Sequence, residues 1–377
     1  MLIEPSYGVR MSMEKIMMLR ESPPATVRAW LLFSAAMVFA MAVIGAITRL
    51  TESGLSMVEW RPLIGALPPL TEAEWQRVFD LYRATPEYKF KNADMDLAGF
   101  QTIFFWEWFH RLWGRLIGAV FALPLAWFWW RGMLPAWLKP RLLVLLALGG
   151  LQGGIGAWMV ASGLVDVPAV SHYRLATHLG LALVIFSLIL WTWTECRPRP
   201  PAVAGAAAVI PHASMALGIL AITITWGAFV AGLDAGLLYN SWPDMNGAVL
   251  PQEAWAMTPT WLNAIDNRAM VQFLHRGVAY LTTIVVVTLC WRLWRLGMVW
   301  HAAAGMCALS IQLGLGIGAV VLAVPVWLGG AHQAGAIVLL AVLVLTRHRL
   351  AAVTERAVSA ADHHLAKVAT TSNPTAA

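Results

Sequence analysis

Eight long apolar runs, separated by shorter polar stretches, dominate the chain. They lie near residues 29–50, 104–130, 141–161, 173–194, 206–231, 269–293, 299–324 and 328–346. As a helix, each run is long enough to cross a hydrocarbon core of about 30 Å. With 59% hydrophobic and 12% charged residues, the pattern predicts an all-α integral membrane protein with eight transmembrane helices and excludes a water-soluble globule.

Basic residues cluster in alternate loops between these runs, which sets the expected orientation. They are Arg131, Lys139, Arg141, Arg197, Arg199, Arg292, Arg295, Arg347 and Arg349. By the positive-inside rule these loops are cytoplasmic, and so are both termini. The formal charge of +6 mostly reflects this bias and gives no reason to expect nucleic acid as a partner.

The two halves of the chain repeat each other. Gly45 to Leu55 aligns with Gly227 to Leu237, and a His-Arg pair occurs in each half. Because each half has four crossings, both copies enter the membrane from the same side. This predicts parallel repeats related by a pseudo-two-fold axis along the membrane normal, forming two four-helix bundles.

The repeats define the expected domains. Residues 29–200 form the N-terminal bundle and residues 201–348 form the C-terminal bundle. Residues 1–28 precede them as a cytoplasmic segment. The Ala-, Ser- and Thr-rich stretch 349–377 follows as a cytoplasmic tail, which we predict to be disordered.

The external loop 51–97 of the first half is longer than its counterpart. Within it, Thr71 to Glu74 has the form of a capping box, and apolar residues follow at helical spacing up to Tyr82. We expect a short amphipathic helix over the outer surface of the first bundle. It serves either as a lid or as a solvated helix with no function.

Four histidines occupy matching places in the repeat: His110, His178, His275 and His332. A polar ring inside a membrane needs a partner, and its repetition favours function over a packing role. Two facing imidazoles from neighbouring helices suit the axial positions of a haem. A zinc site would need further N or S ligands on the same face, and a di-iron site further glutamates; the sequence supplies neither.

The halves differ at one polar position. Glu107, which shares a helix face with the first histidine, corresponds to Gln272 in the second half. A carboxyl group beside a haem can accept a proton or orient water, or it can simply pair with Arg111 or Arg115. Arg111 and Arg276 each follow a histidine, as contacts for haem propionates or as anchors at the membrane interface.

With these motifs the chain resembles the haem A synthase family, in its alphaproteobacterial and mitochondrial variety. The resemblance covers about residues 25–350. It is carried by Gly45-Ala-Ile-Thr-Arg-Leu-Thr-Glu-Ser-Gly-Leu-Ser56, Glu107-Trp-Phe-His-Arg111 and Gln272-Phe-Leu-His-Arg276, with His178 and His332. It implies an enzyme for cytochrome oxidase assembly. That enzyme oxidises the ring-D (C8) methyl group of haem O to a formyl group through hydroxylated intermediates, with water as the oxygen source.

The resemblance also implies residue roles. His275 and His332 match the ligands of a resident haem b, His110 and His178 match those of the substrate haem, and Glu107 matches the catalytic glutamate. The implied location is the bacterial inner membrane, with the haem sites near the periplasmic side. The implied partners are haem O synthase, oxidase assembly factors and membrane lipid, and a homo-oligomer stays open. The chain lacks the cysteine pair that some bacterial members carry in the first external loop.

Two other functions stay open at this point. A transmembrane diheme b-type cytochrome would move electrons without hydroxylase chemistry, and would hold haem tightly in both halves. A parallel-repeat transporter would use the histidines as proton relays and would bind no haem. Identification of the haems extracted from the protein would distinguish these three functions.

Overall fold

The computed structural model describes residues 22–59, 64–163, 169–198 and 200–371. Within these ranges, eight helices are long and apolar enough to cross a membrane, and no β-strand occurs. These helices are α1 (Ala25–Leu50), α4 (Leu97–Trp130), α5 (Lys139–Ala161), α6 (His172–Glu195), α7 (Ile210–Gly232), α9 (Arg268–Arg295), α10 (Val299–Val321) and α11 (Val326–Thr371). The shorter helices are α2 (Glu72–Arg83), α3 (Pro86–Lys91) and α8 (Asn263–Asp266). The prediction of an all-α, multi-pass membrane protein is confirmed.

Basic side chains lie over tryptophan rings where the membrane helices meet the loops that we predicted to be cytoplasmic. The charged group is 4.7–5.6 Å from the ring centre in five such pairs: Arg131–Trp127, Lys139–Trp129, Arg141–Trp137, Arg197–Trp193 and Arg295–Trp291. Tryptophan and arginine together suit the boundary between hydrocarbon and water, since each has an apolar body and a polar tip. These pairs mark one interface of the membrane region.

The long helices pack as two rings of four. Helices α1, α4, α5 and α6 contact one another in succession and close the first ring, and α7, α9, α10 and α11 do the same in the second. The rings meet where α1 packs on α11 and where α6 packs on α7 and α11. Side-by-side repeats require these contacts; the symmetry axis that relates the halves stays a prediction.

Polar contacts join the two rings. The Arg49 guanidinium at the end of α1 lies 2.8 Å from the Asp234 carboxylate and donates at 2.8 Å to the carbonyl of Ala231. Within the apolar region, Gln333 of α11 donates to the carbonyl of Ala42 at 2.5 Å. These bonds link α1 to both α7 and α11, and hold the halves together at two depths.

The last helix is longer than the sequence led us to expect. The composition predicted disorder from residue 349, but α11 continues to Thr371. Its extension, residues 349–371, contains seven alanines and lacks Gly and Pro. Such residues propagate a helix that a membrane segment has already nucleated. Residues 372–377, and most of the predicted N-terminal segment 1–28, lie outside the described ranges.

The external loop of the first half contains the predicted amphipathic helix, which is α2. Its N-cap is Thr71, whose hydroxyl accepts a hydrogen bond from the Glu74 amide at 3.2 Å. Phe79 lies with its ring centre 5.0 Å from that of Phe100 at the outer end of α4. Helix α2 therefore rests on α4 through an aromatic cluster, whereas its role as a lid stays a prediction.

A buried polar group lies beneath this cluster. The Tyr82 hydroxyl donates to the Glu87 carboxylate at 3.1 Å and accepts from the Asn92 amide at 2.8 Å. Tyr82 is fully buried and Glu87 is 3% exposed. Burial, which disfavours the charged carboxylate, raises the pKa of Glu87 to about 7.

The raised pKa of Glu87 predicts that helices α2 and α3 become less stable as pH rises above neutral. The folded state holds the Glu87 proton more tightly than the unfolded state does. The contribution of Glu87 to the free energy of unfolding is therefore fully present at pH values below the ordinary glutamate pKa. It is lost as pH rises through about 7, with a slope of at most about 1.4 kcal/mol per pH unit. We expect amide exchange in residues 72–92, corrected for intrinsic rates, to reveal this loss. Glu87→Gln should flatten the dependence, and an unchanged slope in that variant would contradict the assignment to Glu87.

Candidate functional site

Each of the four histidines faces a glycine on a neighbouring helix. The pairs are His110 with Gly45, His178 with Gly156, His275 with Gly227, and His332 with Gly316. A methyl group added to these glycines would lie 2.7–3.4 Å from the imidazole. At Gly156, Gly227 and Gly316 this is closer than ordinary van der Waals contact, and at Gly45 it is at the limit of such contact. The rings can occupy these positions because the facing helix presents bare backbone.

In each half, the two histidines lie on helices that are opposite each other in the ring of four. In the first half, His110 of α4 is near enough to His178 of α6 to act on it electrostatically. In the second half, His332 of α11 acts in the same way on His275 of α9. Across the described ranges, no group of three or more His, Cys, Asp or Glu side chains converges as a metal site. The candidate sites are therefore two-histidine sites.

Neighbouring groups engage one ring nitrogen of the second-half histidines. The Nδ1 atom of His275 lies 3.0 Å from the carbonyl of Thr223, and Nδ1 of His332 lies 3.2 Å from the amide nitrogen of Gln312. A carbonyl accepts only from a protonated nitrogen, so the proton of His275 is on Nδ1. This leaves Nε2 as the nitrogen with which His275 would bind a metal ion.

Two glutamines that sequence reasoning missed contact the histidines. Gln152 of α5 lies with its amide nitrogen 3.1 Å from Nδ1 of His178, just as Gln312 of α10 contacts His332. The signal was present in the repeat, since each glutamine comes four residues before a glycine of the glycine-rich helices.

Glu107 is buried beside the first histidine pair. Only 3% of the residue is exposed, and its Oε1 atom accepts a hydrogen bond from Nε of Arg111 at 2.6 Å. This ion pair was one of the sequence-based alternatives, and it balances the charge of a buried carboxylate. The other carboxylate oxygen lies beneath Gly54 of the external loop. The loop therefore covers the carboxyl group from the outside.

The equivalent position in the second half makes different contacts. Gln272 is 2% exposed and donates to the carbonyl of Tyr239 at 3.0 Å. Its amide oxygen is buried and, within the described residues, has no hydrogen-bond partner. The Nε atom of Arg276 is also buried and, within the described residues, has no hydrogen-bond partner. The substitution of glutamine for glutamate thus removes the ion pair, while Gln272 remains as buried as Glu107.

The two arginines bind backbone carbonyls of the external loops. Arg111 donates through Nη2 to Met57 at 3.0 Å, and Arg276 donates through Nη2 to Tyr239 at 2.9 Å. Their Nη1 atoms reach the carbonyls two residues further along, at 3.4 and 3.0 Å. The guanidiniums therefore attach each loop to its histidine helix. Their predicted contact with haem propionates stays a prediction.

Two helices of the first half are less buried than their counterparts in the second half. In the most apolar 18-residue window, 11% of the residues of α4 and 6% of those of α5 are buried. The corresponding values for α9 and α10, their counterparts in the repeat, are 33% and 22%. Helix α1 shows the reverse, at 50% against 22% for its counterpart α7, so the difference concerns α4 and α5 and not the whole half.

Comparison with known proteins identifies the family. The family described as cytochrome oxidase assembly protein matches residues 28–344, which include all four histidines. The chain belongs to this family. Its relatives include proteins named "Heme A synthase" in Rhodospirillum centenum (52% identical over 332 residues, 87% of this chain and 89% of that protein) and in Parvibaculum lavamentivorans (47% over 330 residues, 85% and 93%). The protein of that name in Rhodopseudomonas palustris strain BisB18 is 46% identical over 332 residues (86% and 90%). The resemblance to haem A synthases is confirmed.

The glycine contacts predict opposite effects for two neighbouring substitutions in α10. Gly316→Ala should destabilise the protein, because the new methyl would lie 2.7 Å from Cε1 of His332. Gly314→Ala is the control. Nothing lies within 4 Å of its added methyl, and alanine favours a helix by roughly 0.5–1 kcal/mol over glycine. Thermal unfolding in detergent should separate the two, and equal stability would contradict the close approach.

Proposed function

We propose that this protein is a haem A synthase, which oxidises the C8 methyl group of haem O to a formyl group during cytochrome oxidase assembly. The relatives' names support the activity. The observation that carries the proposal is the pair of two-histidine sites, of which only the first has a buried carboxyl group. This asymmetry suits a protein in which the first half carries out the reaction and the second half holds the cofactor.

The residues of the second half fit a resident haem b. His275 and His332 come from α9 and α11, which lie opposite each other in the second ring and not side by side as the sequence led us to expect, with Nδ1 engaged and Nε2 left for iron. Gly227 and Gly316 provide the space for both rings. When bound, the haem supplies one-electron redox chemistry. The tighter packing of α9 and α10 suits a cofactor that stays in place.

The first half suits a substrate that enters and leaves. Haem O is a large apolar molecule, and α4 and α5 bury few of their residues against the rest of the protein. His110 and His178 would hold the substrate iron. Arg111 follows His110 directly and lies at the outer end of the site. There its guanidinium would form an ion pair with a haem propionate.

Glu107 is the residue that would handle protons. Conversion of a methyl group and one water molecule to a formyl group releases four protons and four electrons. The electrons must pass to an external electron acceptor, and the protons require a base or a group that orients water. Glu107 lies one helical turn from His110 and is held by Arg111 at 2.6 Å. The contact fixes one carboxylate oxygen and leaves the other, beneath Gly54, to meet water or substrate. Glutamine at position 272 cannot take this role.

The orientation follows from the same geometry. The basic and tryptophan-rich helix ends lie opposite the ends that carry the histidines. We place the former in the cytoplasm and the histidines near the periplasmic face of the bacterial inner membrane. Haem O synthase, as the source of an apolar substrate, and oxidase assembly factors, as its recipients, are the proposed partners.

Glu107→Gln tests the catalytic role. This variant should fold and retain haem b, yet lower haem A formation by at least about 100-fold or stop at a hydroxylated intermediate. The measurement is chromatography of haems from cells that make haem O and lack another haem A synthase. Gln272→Glu is the matched control and should not change the yield. Normal haem A production by Glu107→Gln would refute the mechanism.

His275→Ala and His332→Ala test the cofactor site. Each removes one of the two residues that would hold the haem iron, so the purified variants should lose most of the bound haem b and its low-spin spectrum. His110→Ala should retain that spectrum, since it alters only the substrate half. A simple diheme cytochrome would instead lose one tightly bound haem in either case. Wild-type protein without haem would exclude both of these functions and favour a transporter.

A further inference from the structure

Helix α2 lies between α4, which carries Glu107, and the loop segment 57–59. Its apolar face packs on α4, with the ring centre of Trp75 5.1 Å from that of Phe104. Phe104 precedes Glu107 by three residues, which is about one helical turn. The polar face of α2 contacts the loop segment through Arg77. An external helix is thus in contact with both the helix of the catalytic residue and the loop above it.

Arg77 holds α2 and the loop together. Its Nη1 and Nη2 atoms donate to the two carboxylate oxygens of Glu59 at 3.2 and 3.0 Å. Its Nε and Nη2 atoms donate to the Glu74 carboxylate at 3.0 and 2.8 Å. Glu74 belongs to the first turn of α2, where its amide donates to the N-cap hydroxyl of Thr71. All three nitrogens of the guanidinium therefore have carboxylate partners, and the loop is fixed to the first turn of the helix.

The geometry of this ion pair matters more than its strength. The Arg77 side chain is 38% exposed and that of Glu59 is 36% exposed, and an isolated ion pair at such exposure adds little to stability. A bidentate pair within a network of charges is different, because the planar guanidinium is held in one orientation. We therefore expect Arg77 to act by fixing the position of the loop.

Glu59 extends the contact towards the catalytic residue. Its side chain binds Arg77, and its backbone carbonyl accepts from Nη1 of Arg111 at 3.4 Å. The carbonyl of Met57 accepts from Nη2 of Arg111 at 3.0 Å, and Nε of the same guanidinium donates to Glu107 at 2.6 Å. Because a guanidinium is planar and rigid, a shift of the two carbonyls turns its plane and moves the atom that holds Glu107.

The second half lacks the charges for such a chain of contacts. Its external loop, residues 233–267, contains no lysine or arginine. Arg276 binds the carbonyls of this loop as Arg111 does in the first half, but no basic side chain within the loop can fix them by an ion pair. The link from an external helix therefore occurs only in the half that has the buried carboxyl group.

We propose that Arg77 is a positioning residue for Glu107 and acts through Glu59 and Arg111. By fixing the loop segment 57–59, it holds the Arg111 guanidinium in the plane that orients the Glu107 carboxylate. The inference rests on the proposed haem A synthase function. It gives the external helix α2 a part in the reaction itself, which is distinct from control of substrate access.

Steady-state formation of haem A by the purified full-length protein, with haem b bound and an electron acceptor added, tests this role. Arg77→Leu should lower kcat about 10-fold and leave KM for haem O within about twofold, since a misplaced reacting group costs up to about 100-fold in rate without loss of binding. Arg77→Lys keeps the charge but not the planar fork, and its kcat should be intermediate. A change in KM alone would overturn the proposal, because it would indicate a role in substrate access.

Exchange of the two charges separates the ion pair from packing. Glu59→Arg alone brings two guanidiniums together and should lower kcat as Arg77→Leu does. The double variant Glu59→Arg/Arg77→Glu restores opposite charges and should recover most of the lost kcat. A double variant no more active than the single variants would contradict the proposed ion pair.

Arg83→Leu is the matched control. Arg83 lies on the same helix, and its ion pair is with Asp80 of that helix at 3.6 Å. Its replacement removes a positive charge from α2 and leaves the link between Arg77 and Glu59 in place, so kcat should not change. A loss of kcat as large as that in Arg77→Leu would overturn the proposal.

Amide hydrogen exchange provides a readout that does not depend on activity. Residues 54–59 should exchange faster in Arg77→Leu than in the wild type or in Arg83→Leu, because the loop opens more often without its ion pair. The haem b spectrum should be the same in all three proteins. Wild-type protein that forms no haem A would refute the proposed function, and this inference with it. Haem A formation by the wild type, combined with unchanged kcat or unchanged exchange in Arg77→Leu, would refute the inference alone.

Discussion

The close approach of imidazole to glycine backbone is the constraint on which the rest of the site depends. Four times, a ring from one helix lies where a methyl group on the next helix would be 2.7–3.4 Å away. Ring and backbone can be this close only if the two helices are closely spaced at that level and no side chain intervenes. The spacing in turn brings Gln152 and Gln312 within reach of the rings and sets the direction in which Nε2 points.

Much of this arrangement follows from local sequence rules. The apolar runs fix the number and order of the membrane helices, because hydrocarbon demands internally bonded backbone. The spacing of Glu107 and His110 places both on one helix face. The Thr71 cap and the apolar stripe after it predict α2 without tertiary information. Each of these inferences needs only the sequence of one segment and the surroundings, water or hydrocarbon, in which that segment lies.

Contacts between segments could not be derived in this way. The pairing of Gln312 with His332 depends on the relative rotation of α10 and α11, which periodicity alone does not determine. Arg111 was expected either to contact a haem propionate or to anchor the helix at the membrane interface. It also binds loop carbonyls, which only the folded chain brings near. The C-terminal extension of α11 shows a different limit, since its composition suits both a solvated coil and a continued helix.

Arg111 joins two parts of the protein through one rigid planar group. Its Nε atom binds the Glu107 carboxylate, and its Nη atoms bind the carbonyls of the loop above. Arg276 makes the same carbonyl contacts, but within the described chain its Nε atom has no partner. A change of charge at Glu107 is therefore felt directly by the backbone that covers the first histidine pair. Within the described chain, the loop over the second pair has no such link to an ionisable side chain, because Gln272 occupies the equivalent position and cannot ionise.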